Sequence, residues 1–100
     1  MKNVMDLQKM LKTAKEMQER LQQELAALRV EGSSGGGMVA VVLDGHKALQ
    51  SIRIEPEVAK ADEVEMLQDL IVAAFNDAAA RVDEALAQKL GGGLKIPGLF

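Results

Sequence analysis

The chain contains no cysteine, tryptophan or tyrosine, and its only aromatic rings are Phe75 and Phe100. Without thiols there is no disulfide, cysteine nucleophile or thiolate metal site, and the composition fits a reducing compartment. Two rings are too few to line an aromatic pocket or to build a base-stacking platform. Histidine occurs once, at His46, which falls short of any histidine-based zinc site. No apolar run approaches the roughly 18 to 20 residues that cross a bilayer, and the amino end is too polar for a signal-peptide core. A cytoplasmic protein with no membrane partner is expected.

What the chain does have is Leu, Val, Ile, Met and Ala at helical spacing. Over residues 4–28 the apolar positions are Val4, Leu7, Leu11, Ala14, Leu21, Leu25 and Leu28, with Gln18 in the gap and Met5, Met10 and Met17 widening the stripe. This alternation of threes and fours predicts a helix, and neither Gly nor Pro interrupts it. Such a helix is about 38 Å long, more than one small sheet can cover. A chain of 100 residues holds a single core. A second copy is therefore expected against the stripe, with Gln18 helping to fix register.

Residues 29–43, RVEGSSGGGMVAVVL, change character. The glycine cluster predicts a hairpin reversal, and residues 38–43 are six apolar residues rich in Val, read as a strand covered on both faces. Val39, Val41 and Leu43 face one way; Met38, Ala40 and Val42 face the other. Asp44-Gly45 predicts a turn, because both residues tolerate positive φ. Residues 48–54 read as the partner strand, ended by Glu55-Pro56. A second helix is predicted from about residue 63 to 90, opened by Asp62 and Glu65 as a capping box and stopped by three glycines. Its apolar positions include Val64, Leu67, Ile71, Ala74, Ala78 and Val82. Residues 94–100, LKIPGLF, read as a flexible apolar tail unless docked.

The fold class expected is α+β, in the order α-β-β-β-α. Residues 1–93 form one domain, with a helix over about 4–28, strands over about 29–34, 37–43 and 48–54, and a helix over about 63–90. Core or dimer positions are Leu7, Leu11, Leu21 and Leu25 on the first helix, Val39, Val41 and Leu43 in the strand, and Leu67, Ile71 and Asn76 on the second helix.

Several segments in this order and spacing resemble the YbaB/EbfC family of bacterial nucleoid-associated proteins. They are Gly35-Gly36-Gly37-Met38-Val39, Asp44-Gly45, Ile52-Arg53-Ile54-Glu55-Pro56, residues 69–78 (DLIVAAFNDA) and residues 92–100 (GGLKIPGLF). The resemblance spans nearly the whole chain. It implies a small antiparallel sheet between two long helices, a dimer whose helices project like tweezers, and cofactor-free association with DNA in the nucleoid. One departure is Asp44, where the family often has Asn; the turn chemistry is kept and a charge is added.

Charge is unevenly placed. Residues 1–30 carry six basic and four acidic groups, whereas residues 31–100 carry six and eleven. Lys2, Lys9, Lys12 and Lys15 spread over roughly 140° of the first helix, beside or opposite the apolar stripe. They make a candidate phosphate-contacting strip for duplex DNA, with Arg20, Arg81 and Lys89 as secondary candidates. The competing reading is an ordinary solvated face, interrupted by Glu16 and Glu19.

Other motifs reduce to structure. GSSGGG lacks the Lys-Ser/Thr pair and following helix of a nucleotide-binding loop. The carboxylates Glu55, Glu57, Asp62, Glu63 and Glu65 match no calcium-loop spacing, so no metal or cofactor is expected. His46 reads as a solvated turn residue. Asn76-Asp77, polar within a run of alanines, read as groups that hydrogen-bond a neighbouring strand. The alternative function is a protein-interaction adaptor, holding a protein partner in helix grooves or on the tail.

Overall fold

A computed structural model describes residues 4–91 of the chain. Helix α1, Val4–Ala27, contains 24 residues and buries none of them. Three strands follow, β1 at Val30–Ser34, β2 at Val39–Leu43 and β3 at Leu49–Ile54, forming an antiparallel sheet in the order β1-β2-β3. Helix α2, Val64–Leu86, then crosses the sheet and runs into a π-helical turn, Ala87–Gly91. The architecture is thus α-β-β-β-α, a small antiparallel sheet flanked by two long helices. Residues 94–100, the expected tail, lie outside the described residues, as does Lys2.

The core is one-sided. Val39, Val41 and Leu43 point from β2 into Ala74, Ala78 and Val82 of α2. Leu67 and Ile71, with Val30, Ile54, Leu70, Phe75 and Leu86, pack around this centre. Alanines on α2 let the helix sit close to the sheet, and Gly32 completes the fit. A Cβ at Gly32 would stand 2.6 Å from Ala78 Cα and 2.7 Å from Ala78 Cβ. Ser34 Oγ donates to the Leu70 carbonyl at 2.6 Å, a second tie between β1 and α2.

The opposite face of β2 has no helix or sheet over it among the described residues, so the two-layer cover expected for this strand is absent within one chain. Ala40 is nevertheless only 3% exposed, while Val42 is half-buried. Ala40 lies between Ser33 and Arg53 in the register, and Val42 between Glu31 and Ser51. Neighbours on one face shield each other, and Arg53 and Glu31 span the strand as an ion pair at 3.9 Å.

One of the two hairpins departs from the sequence reading. Positive φ at the first hairpin falls on Gly35, Gly36 and Gly37, as a glycine run permits. At the second hairpin neither Asp44 nor Gly45 has positive φ; Lys47 takes it, at 65°. Gly45 is needed for space instead, because Leu25 of α1 presses on it. The expected capping box is also absent. Glu63 holds the N-cap position of α2 without a side-chain cap, after a 3-10 turn at Ala61–Glu63.

The molecule measures 73 × 23 × 16 Å with a radius of gyration of 19.7 Å. A compact chain of this length has a radius near 13 Å. The excess comes from α1, which meets the rest of the chain only around its carboxyl-terminal turns.

Candidate nucleic-acid interface

Helix α1, 24 residues without Gly or Pro, is a rod about 36 Å long. Its root is held by the β2–β3 turn. The Gly45 N–H donates to the Leu25 carbonyl at 2.8 Å, and Leu21, Leu25 and Leu28 are half-buried there. Lys89, in the turn that follows α2, reaches Glu24 at 3.9 Å. Beyond these contacts the helix stands in solvent, and Leu7 and Leu11, predicted as core or dimer positions, are 56% and 63% exposed.

Lys9, Lys12, Lys15 and Arg20 are all exposed on this rod; at helical spacing Lys9, Lys12 and Arg20 lie opposite the leucine stripe and Lys15 flanks it beside Leu11. Among the described residues none of the four forms an ion pair. The secondary candidates differ. Arg81 pairs with Asp77 through a 3.2 Å Nε–Oδ2 contact, and Lys89 pairs with Glu24. Arg81 and Lys89 also lie on or just past α2, apart from the α1 strip. The structure therefore groups Lys9, Lys12, Lys15 and Arg20 and leaves the other two engaged elsewhere.

Two carboxylates hold the scaffold. Asp44 is buried in its turn, where Oδ1 accepts the His46 N–H at 2.8 Å and the Ala48 N–H at 3.0 Å. Oδ2 accepts Gln50 Nε2 at 3.2 Å, so an Asn here would keep the backbone pair and lose this oxygen. The Ala48 and His46 amides hold the carboxyl below its ordinary pKa, against the opposing effect of burial. His46 itself is exposed, as a turn residue is. Asp77 accepts the Ser33 N–H at 3.0 Å. That bond, then Arg81, lowers its pKa while burial opposes them. Asp77 thus satisfies an open-edge amide of β1, which pairs only with β2; of the two mid-helix polar residues it makes the strand bond, and Asn76 is exposed.

A second exposed apolar surface was not legible in the sequence. Leu49 and Ile52 share the inner face of the sheet with Leu43 and Val41, yet they are 52% and 42% exposed. Helix α2 lies mainly over β1 and β2; Ile54 of β3 packs against the same core, while Leu49 and Ile52 stay partly exposed. Val64 and Met66, at the start of α2, are also exposed. Leu49 and Ile52 are three residues apart and share a face only through a shift in the β2–β3 register, which simple alternation does not reveal.

No helix among the described residues is long and apolar enough to cross a membrane, and none of their His, Asp and Glu clusters is suited to a metal ion. The fold is a small α/β body with a projecting helix that displays four cationic and four acidic side chains. The chain belongs to the YbaB/EbfC DNA-binding family, whose pattern matches residues 1–95; it is a non-enzymatic member of a DNA-binding family. It is 48% identical over 101 residues to a nucleoid-associated protein of Caldanaerobacter subterraneus, with 95% of this chain and 91% of that one covered. A nucleoid-associated protein of Koribacter versatilis is 45% identical over 96 residues, covering 93% of this chain and 95% of its own. The crystal structure of an uncharacterized protein from Helicobacter pylori shares the fold, with a TM-score of 0.73 at 23% identity over 95% of this chain and all of that one.

Proposed function

We propose that the protein is nucleoid-associated and binds duplex DNA as a homodimer, mainly through phosphate contacts made by Lys9, Lys12 and Lys15, with Arg20 beside them and Lys2 extending the strip. The observation behind this reading is a row of exposed cations, Lys9, Lys12, Lys15 and Arg20, without ion-pair partners among the described residues, on a projecting helix in a chain of a DNA-binding family. Lysines on a rod meet phosphates as point charges and offer no fixed set of base contacts, so sequence preference is modest. Two to four phosphates neutralised per protomer give a log-log salt slope of roughly −4 to −7 for the dimer.

The proposed dimer uses β3. The β1 edge is closed by Asp77, whereas β3 presents Leu49 and Ile52 with no cover. A second copy on that side completes the hydrophobic layer and sets two α1 rods on one assembly. Sedimentation equilibrium at tens of micromolar is expected to give twice the chain mass of 10.7 kDa. Ile52→Lys should return it to the monomer mass; a monomeric parent protein would sink the dimer.

The DNA reading is tested by fluorescence anisotropy of a labelled duplex at several salt concentrations. Wild type is compared with a Lys9→Glu, Lys12→Glu, Lys15→Glu variant whose association state is first checked. Loss of affinity and a shallower salt slope are expected. Unchanged binding removes the strip from the mechanism, and no binding by wild type at low salt favours the adaptor function, for which the exposed α1 stripe is the supporting observation.

A further inference from the structure

The apolar stripe of α1 changes state along its length. Leu21, Leu25 and Leu28 are half-buried at the root, while Leu11, Leu7 and Val4 are more than half exposed, with Met10 and Met17 beside them. Contiguous apolar surface of this extent marks a contact site. We propose that its occupant is the chain's own carboxyl-terminal segment, residues 94–100, lying along α1 towards the amino end.

Three observations select this occupant. First, the chain leaves α2 at the right place: the Lys89–Glu24 ion pair sets the last helical turn against α1 where the stripe emerges from cover. Second, the lengths match. From Glu24 to Leu7 the helix rises about 26 Å, and residues 92–100 reach about 30 Å when extended. Leu94 comes within range of Met17, and Leu99 and Phe100 within range of Leu11 and Leu7. Third, the segment is suited to the surface, since Leu94, Ile96, Leu99 and Phe100 are apolar and Lys95 is its only charge. A short tether holds such a segment at an effective concentration in the millimolar range, above what a free second copy supplies. Lys9, Lys12 and Arg20, opposite the stripe, stay uncovered, while Lys15 borders the covered strip.

The absence of native cysteine allows a clean probe. Full-length Gly98→Cys carrying a nitroxide, isotope-labelled and diluted into an excess of unlabelled protein, is examined by paramagnetic broadening of backbone amides. Strong broadening at Leu7, Leu11 and Ala14 that persists on dilution is expected, and it should vanish when Leu7→Gln and Leu11→Gln are added, because Gln keeps the helix and removes the apolar surface. In the protein without the probe, deleting residues 94–100 should speed amide exchange in the amino-terminal half of α1 by about tenfold. No broadening on α1, or broadening that disappears on dilution because the segment of another copy is responsible, would overturn the proposal.

Discussion

Helices α1 and α2 are nearly equal in length, 24 and 23 residues, and both carry an apolar stripe at helical spacing. Yet α2 buries Ala74, Ala78 and Val82 completely, and α1 buries nothing. The stripe of α2 has Ala74 and Ala78 at its centre, which bring it onto the sheet with larger residues packed around them, while that of α1 is made of Leu and Met that stand away from any sheet. Periodicity reports that a helix has an apolar face; the size of the residues on that face tells more about what lies against it.

The contrast makes the two helices unequal under mutation. The largest effect is expected at Leu43, fully buried under α2: Leu43→Ala should cost about 2–5 kcal/mol in urea unfolding. Gly32→Ala should follow, at about 1–3 kcal/mol, because its methyl meets the α2 backbone rather than a flexible side chain. A cost near zero would mean that α2 rides more loosely on β1 than its geometry shows.

Acid should weaken the sheet-and-α2 unit. Asp44 and Asp77 have pKa values below those of unfolded carboxylates. Their contribution is therefore fully present above the unfolded pKa of about 4 and is lost as pH falls through the lower folded values. Thermal melts monitored by circular dichroism should show Tm falling over that window, and Asp77→Asn should flatten the fall. A Tm that does not change there would remove these carboxylates from the balance.

The smallest effect is expected on α1. Leu11→Ala should cost no more than about 1 kcal/mol, since the cover proposed for it is one short segment and not a core. A core-sized loss would show that the stripe is buried in solution far more thoroughly than in one chain.

Most of the element order was legible because each element announces itself locally: unbroken helix formers over α1, a Val-rich run for β2, glycines at the first hairpin. What the sequence concealed depends on residues far apart in the chain. Ser33 and Asp77 are joined across the fold by one hydrogen bond, and only the register of β1 under α2 reveals it. Gly45 looked like a turn glycine from its neighbours, but its constraint comes from Leu25. The lysine strip was legible as a helical face, since charge and spacing suffice for that. The pairing of Lys89 was not, because Glu24 meets it only through the tertiary fold; that of Arg81 with Asp77, one turn earlier on α2, follows from helical spacing.

The contact between Gly45 and Leu25 has a mechanical meaning. It is a pivot, and α1 is a lever whose load sits near the free end. With an arm of about 36 Å, a rotation of about 10° at the pivot swings the tip by about 6 Å, close to two base-pair steps of about 3.4 Å along a duplex. The pivot has little slack: a Cβ on Gly45 would lie 2.7 Å from the Leu25 carbonyl oxygen and 2.8 Å from its Cα. Whatever the lysines meet is therefore aimed from a β-turn at the far end of the lever, by backbone atoms remote from that contact.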